Sequence, residues 1–275
     1  MRNLIVTFFL FVCMIPVDAQ TDSGRHKVYQ VYKKIELPAS VAGIGLSTLG
    51  FRKLEQVSAM SVNDVLKLDP STINAFDRPD AFLDPRGFEN AERNSNLFLN
   101  ISLISPLLLG LDKTIRKDWL DLFSLYLVTH AADNAVYFAG AYAVRRPRPL
   151  TYNPNISIAG KTGEGRSNSF FSGHVSFSAA ATFFAAKIYT DYHRITGWKR
   201  VLIYSIASVP PALVGYYRIR AGKHFRTDVL LGFLAGASSG ILIPELHRIR
   251  NKKSGLTVNP YYSDAGAGIT AALRF

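Results

Sequence analysis

Residues 170–189 read Phe-Phe-Ser-Gly-His-Val-Ser-Phe-Ser-Ala-Ala-Ala-Thr-Phe-Phe-Ala-Ala-Lys-Ile-Tyr. A polar loop, Asn153 to Asn168, runs up to this stretch, and from Val175 onward it is almost wholly apolar and small. The pattern predicts a buried helix that starts at Ser172-Gly173-His174. The first N–H groups of a helix have no partner within it, and the helix dipole adds partial positive charge there. Such a start is a ready anion site. His174 falls in the first turn, beside whatever anion binds.

Working outward, four more segments share this apolar, helix-friendly character: Leu97–Leu111, Trp119–Val144, Val201–Tyr217 and Val229–Leu246. Each approaches the roughly 20 residues that a membrane span requires. The expectation is an all-α, multi-span helical membrane bundle. Its 275 residues are 48% hydrophobic and 19% charged. A mean hydropathy of +0.10 is high for a soluble enzyme and modest for a membrane protein, so apolar residues are concentrated in segments. His130, Asp133 and Asn134 lie within the second segment and are expected to face the bundle interior as hydrogen-bonding residues. Cys13 is the only cysteine, which excludes a disulfide framework and a cysteine-based metal site.

The chain divides into four parts. Residues 1–19 read as a signal peptide or first membrane anchor, with Arg2, an apolar Leu4–Val17 and a small-residue site at Val17-Asp18-Ala19. Residues 20–95 read as a periplasmic or interfacial region. Within it Pro38–Phe51 is too short to span, and Asn63-Asp64 and Asp69-Pro70-Ser71-Thr72 read as helix N-caps. Residues 96–250 form the membrane domain. Residues 251–275 form a tail in which Leu256-Thr-Val and Ile269–Phe275 flank a Gly-rich turn and read as a hairpin.

Three basic groups lie between or after these segments: Lys113, Arg116 and Lys117; Lys187, Arg194, Lys199 and Arg200; and His247, Arg248, Arg250, Lys252 and Lys253. If the five segments cross, these groups share one side, cytoplasmic by the positive-inside rule. Three other clusters then meet on the outer side: Arg145-Arg146-Pro147-Arg148-Pro149, Ser172-Gly173-His174, and Arg218 with His224 and Asp228. Their residue types suit phosphoryl transfer. Arg148 and Arg218 offer bidentate donors to phosphate oxygens, and Ser172 and Gly173 complete a cradle. His174 is the expected nucleophile and His224 the expected acid and base. Asp228, four residues after His224, is placed to fix its tautomer. The formal charge of +12 suits a phosphate-bearing partner.

These residues resemble the type 2 phosphatidic acid phosphatase superfamily, whose pattern is Lys-x6-Arg-Pro, Pro-Ser-Gly-His and Ser-Arg-x5-His-x3-Asp. Arg148-Pro149, Ser172-Gly173-His174 and Arg218-x5-His224-x3-Asp228 carry the resemblance, over roughly Trp119 to Leu246. It implies catalysis by His174, His224 and Asp228, phosphate binding by Arg148, Ser172, Gly173 and Arg218, and no metal or cofactor. The implied substrate is a lipid phosphate or diphosphate (lipid A, undecaprenyl diphosphate or phosphatidylglycerol phosphate) at the periplasmic face of a bacterial inner membrane. Nucleic acid is not an expected partner. Three positions depart from the pattern: Ala141 stands for the lysine, Phe171 for the proline and Tyr217 for the serine. Loss of one charged phosphate contact costs on the order of 2–4 kcal/mol of transition-state stabilisation, and Arg145, Arg146 and Lys223 are the candidate replacements. The competing readings are a soluble periplasmic acid phosphatase and a non-catalytic phospholipid-binding membrane protein.

Overall fold

The structure is a computed structural model that describes residues 27–249, 255–263 and 266–274. The leader readings of residues 1–19 fall outside the described residues. The long helices are α1 (Lys33–Val57), α3 (Phe88–Ile104), α4 (Trp119–Ala143), α7 (Gly173–Tyr192) and α10 (Arg226–His247). Two shorter helices, α8 (Gly197–Ala207) and α9 (Val209–Arg220), run end to end. Small helices α2 (Val62–Leu66), α5 (Pro149–Tyr152) and α6 (Ile158–Lys161) sit in the connections. Strands β1 (Gly255–Ser263) and β2 (Gly266–Arg274) pair antiparallel, Leu256 opposite Leu273, as the hairpin pattern predicts.

α7 is the central helix and packs against α3, α4, α8, α9 and α10. Its small residues explain the position: Ser176, Ser178, Ala179, Ala180 and Ala181 are all fully enclosed. The contact with α10 is the closest. Gly232, Gly236 and Gly240 repeat every fourth residue along one face of α10, and a Cβ on them would lie 2.5, 2.0 and 2.6 Å from the carbonyl oxygens of Ser172, Ser176 and Ala180. Only glycine lets the two backbones touch in this way. Asp133 on α4 ties the same helices together, accepting hydrogen bonds from Ser176 Oγ at 2.8 Å and Ser239 Oγ at 3.0 Å. Asn134 Nδ2 donates to Ser47 Oγ of α1 at 3.1 Å.

Several sequence expectations change. Pro38–Phe51 is not a short separate segment. It lies inside α1, whose 25 residues reach about 37 Å at 1.5 Å per residue, enough to traverse the bundle. The expectation that Pro38–Phe51 is too short to span gives way to a helix of spanning length. The segment Val201–Tyr217 is two helices broken at Ser208, because Pro210 and Pro211 allow a helix start there but not a helix interior. Leu97–Leu111 is the end of α3 followed by a 3₁₀ stretch, Ser105–Leu111. Ser61, rather than Asn63, caps α2, in a capping box with Asp64.

Two ends of the bundle differ in chemistry. At one end lie the Lys113–Lys117 connection, the Arg194–Arg200 connection and Arg248, whose backbone bridges to Tyr29 before α1. Lys187 belongs to this end but is no surface anchor. It is buried and ion-paired with Asp191 and with Glu245, the latter at 2.7 Å. Tyr29 Oη donates to Asp191 at 2.7 Å and Tyr192 Oη to Asp118 at 2.7 Å. The other end gathers the C-termini of α1, α4 and α9 and the N-termini of α3, α7 and α10. Among the described residues, two segments, Pro85–Leu111 and Arg226–His247, are long and apolar enough to cross a membrane by length and composition.

The glycine contact makes a testable demand. Gly236→Ala should destabilise the fold by about 1–3 kcal/mol or more, since the added methyl overlaps a backbone carbonyl that cannot move aside. Gly45→Ala, at an exposed helical position with nothing within 4 Å, should be neutral or slightly stabilising. Thermal unfolding of the two variants in the same detergent checks both.

Candidate active site

The site is assembled where the six helix ends meet. Ser172 is the N-cap residue of α7, but its side chain makes no capping bond. Its N–H donates instead to the Asp228 carbonyl at 3.0 Å, which locks the start of α7 onto the start of α10. Gly173 is required here because a Cβ would meet the Tyr137 ring at 2.9 Å. Arg148 precedes α5 and is held by its own backbone, its N–H donating to Arg166 O at 2.9 Å. Arg218 lies in the last turn of α9 and is 4% exposed. His224, also 4% exposed, sits in the tight turn to α10, made possible by Gly222 at φ +65°.

The sequence-predicted residues therefore converge. Arg218 and Arg148 bear electrostatically on both His174 and His224, and Lys223 bears on His174. Arg148 Nε, Arg218 Nε and Ser172 Oγ are buried with no hydrogen-bond partner. Buried donors in this condition are rare in folded proteins, and three of them face a common helix start. A tetrahedral oxyanion satisfies all three.

Two expected relationships take a different form. Asp228 is not on the His224 ring. His224 Nδ1 bonds the backbone carbonyl of Ser169 at 2.6 Å. Asp228 instead accepts from Ser169 Oγ at 2.6 Å, from the Phe225 N–H at 2.9 Å and from Arg146 at 2.7 Å. A carbonyl only accepts, so His224 carries its proton on Nδ1 and its lone pair on Nε2. His174 Nε2, by contrast, faces Asn96 Oδ1 at 3.2 Å, which places a proton on that nitrogen in the neutral ring. Sequence reasoning missed Asn96, Ser169 and Asp77. Asn96 and Glu92 lie one turn apart on α3, and that spacing was the only available signal.

The gap at Ala141 is filled by packing. Ala141 is buried with Leu54, Tyr137 and Phe171. Tyr137, one turn earlier, exchanges hydrogen bonds with Asn168, the Asn168 amide reaching its hydroxyl at 3.2 Å. Of the candidate replacements, Arg145 is exposed and donates to Val57 O at 3.0 Å, and Arg146 is bound between two carboxylates. Lys223 is the one beside the cradle, paired with Glu92 at 3.2 Å. Burial, with Arg148 and Arg218 nearby, moves the Lys223 ammonium below its ordinary value, partly offset by Glu92.

A membrane-type helical bundle with a buried basic cradle and two imidazoles at one end defines a class of phosphate-handling proteins. Residues 122–252 match the family model of the PAP2 superfamily. Among solved structures it is similar to the first transmembrane PAP2 type phosphatidylglycerolphosphate phosphatase from Bacillus subtilis. That match has 21% identity over 74% of this chain and 94% of the other, with a TM-score of 0.43. It is also similar to Aquifex aeolicus LpxE, at 22% identity over 55% of this chain and 83% of the other, with a TM-score of 0.38. No curated protein matches it.

The electrostatics predict a pH dependence. Burial holds the His224 imidazole well below its ordinary value, and Arg218 and Arg148 push in the same direction. An unfolded chain takes up this proton near pH 6.5, whereas the folded, ligand-free site refuses it. Stability should therefore be full above about pH 6.5 and fall as pH drops below it. His224→Gln should flatten that part of the slope, as read by unfolding midpoints between about pH 5 and pH 8.

Proposed function

We propose that the protein is a phosphohydrolase of the PAP2 superfamily that acts on a lipid phosphate or diphosphate, with the imidazole roles exchanged relative to the sequence expectation. The observation that carries this reading is the set of buried, unpartnered donors, Arg148 Nε, Arg218 Nε and Ser172 Oγ, around two imidazoles of opposite proton placement. His224 Nε2 attacks phosphorus in line. The bond to the leaving oxygen breaks, and that oxygen takes the Nε2 proton of His174, which enters the step as imidazolium beside the bound phosphate dianion and leaves it as neutral imidazole. A phosphohistidine remains on His224. His174, now a base, takes a proton from water. The hydroxide displaces His224 from phosphorus and releases inorganic phosphate. Arg148, Arg218 and the N–H groups at the start of α7 hold the equatorial oxygens throughout. Lys223 adds positive charge where the family lysine is absent.

The same reading places the bundle in a membrane. Leu230, Leu234, Leu242 and Leu246 of α10 and Leu97, Ile101 and Ile104 of α3 are all exposed on the outside of the bundle. Apolar faces of this extent are unsuited to water. They disfavour the soluble acid phosphatase. With the basic end cytoplasmic, α1, α3, α4, α7, the α8–α9 pair and α10 are six crossings, and the cradle opens on the periplasmic side. A substrate held by its acyl chains then presents its phosphate to the cradle at the membrane surface.

Leaving-group dependence separates the two histidines. His224→Ala should lower phosphate release by at least about 10³-fold from both a lipid phosphate and an aryl phosphate with an acidic leaving group. His174→Ala should cost on the order of 10²–10⁴-fold with the lipid but far less with the aryl ester, whose leaving oxygen needs no proton. Steady-state phosphate release with purified protein in detergent reads this. Equal losses in both variants on both substrates would reject the assignment, and a lipid panel with no hydrolysis would reject the function.

A further inference from the structure

A chain of buried polar contacts runs from the N-terminal connection to His224, and of the three-part family pattern it includes only Asp228 and His224 itself. It begins at Asp77, which is wholly buried between α2 and α3 in sequence. Asp77 Oδ1 accepts from the Thr227 N–H at 3.0 Å, and Asp77 Oδ2 from Thr227 Oγ1 at 2.6 Å. Asn74 Nδ2 adds a bond at 2.8 Å. Arg146 then bridges two carboxylates, with Nη2 on Asp77 at 2.8 Å and Nη1 on Asp228 at 2.7 Å. Nη1 also donates to Thr227 Oγ1 at 2.8 Å, and the guanidinium lies over the Phe225 ring at 4.1 Å. Asp228 holds Ser169 through its hydroxyl at 2.6 Å, and the Ser169 carbonyl takes the Nδ1 proton of His224 at 2.6 Å.

We infer that Asp77 and Arg146 are positioning residues for His224: by fixing Asp228, and through it Ser169, they hold the imidazole in the tautomer and orientation that exposes the Nε2 lone pair. The inference rests on the proposed function, with His224 as the attacking group. The geometry gives each member one task. Arg146 offers a fixed planar fork, and its two arms span carboxylates from distant parts of the chain. Asp77 also receives the N-terminal N–H of Thr227, so the same carboxylate that anchors Arg146 pins the first turn of α10, which bears Asp228. Neighbouring Asp80 repeats the device, accepting from the Arg226 N–H at 3.0 Å. Ser169 converts a side-chain contact into a backbone one, so a displaced Asp228 is felt as a displaced carbonyl at Nδ1. Arg146 reaches no phosphate in this arrangement, since both of its arms are used. That separates it from Arg148 and Arg218, whose Nε atoms are unpartnered.

A positioning role predicts a loss in kcat with little change in KM, and chemical rescue. Arg146→Ala should lower kcat for lipid phosphate about 100-fold, with KM within about threefold. Added guanidinium ion should restore at least about tenfold of that loss, because the vacated space between Asp77 and Asp228 admits it. Asp77→Asn keeps the shape and should lower kcat several-fold with KM unchanged, a second variant should Arg146→Ala fail to fold. Nitrogen-15 NMR of histidine-labelled protein gives a readout independent of turnover. The His224 signal should report Nδ1-protonated imidazole in the wild type and a mixture of tautomers in Asp77→Asn. Wild-type kcat in both variants, a loss in Arg146→Ala that guanidinium does not relieve, or an unchanged His224 tautomer overturns the inference. If the wild type hydrolyses no lipid phosphate, the proposed function fails while the tautomer measurement still decides the positioning role.

Discussion

The backbone contact between α7 and α10 is the constraint on which the rest depends. Gly232, Gly236 and Gly240 bring the two helices closer than any side chain permits. That approach sets the Ser172 N–H on the Asp228 carbonyl at 3.0 Å, so two helix N-termini from distant parts of the chain open side by side. The positive ends of two dipoles then face one small volume. Both histidines belong to this junction, His174 in the first turn of α7 and His224 in the turn that leads into α10. Without the glycine seam, the same residues would lie on two helices at an ordinary spacing of 8–10 Å, and the cradle would be too wide for one phosphate.

Burying charge against that seam demands compensation, and the two ends of the bundle supply it differently. At the basic end, Lys187 meets Asp191 and Glu245, and Arg200 and Arg248 approach Asp191 at 3.5 and 3.6 Å. Three cations there share two carboxylates, each of them ion-paired, and the result is a closed latch that also holds Tyr29. At the site end, Arg146 is matched by Asp77 and Asp228, whereas Arg218 and Lys223 share Glu92, and Arg148 feels Glu92 and Glu55 without an ion pair to either. An excess of buried cation is unfavourable in the absence of an anion. An anion such as the phosphate of the proposed substrate would offset it. The imbalance is thus a property of the ligand-free fold that binding would relieve.

Much of this was legible in the sequence, and the residues show why some was not. The apolar segments Trp119–Val144 and Val229–Leu246, the small residues of α7 and the helix start after His224 are local patterns, and each survives in the structure. The PAP2 match spans residues 122–252, which contain these patterns. Pro38–Phe51 misled because Lys33, Lys34 and Lys53 bound it closely on either side, yet packing against α4 carries α1 across Pro38 and its glycines and on past Lys53. Lys187 looked like a surface anchor because its partner Glu245 is 58 residues away. Asp228 was assigned to His224 from helical spacing, but His224 lies before the helix begins, where spacing by fours does not apply. Asp77 carried no signal, since its contacts with Arg146 and Thr227 cross 69 and 150 residues.

The Ala141 position shows how a departure from a family pattern can be absorbed without loss of the site. A lysine there would rise from α4 into the cradle. With alanine, the wall is closed by Phe171 and by Tyr137, whose ring packs on Gly173 and whose hydroxyl is held by Asn168. Phe171 replaces the family proline at the same place, and a Cβ on Gly140 would touch its ring at 3.0 Å. The two substitutions are therefore one change: an aromatic wall stands where a cation and a proline would have been. The positive charge returns from the α9–α10 turn as Lys223, tethered by Glu92 on α3. A cation on a turn, restrained by one ion pair, is more adjustable than one fixed to a helix. Under the proposed function, that turn lets Lys223 supply the cradle's third cation without a lysine on α4.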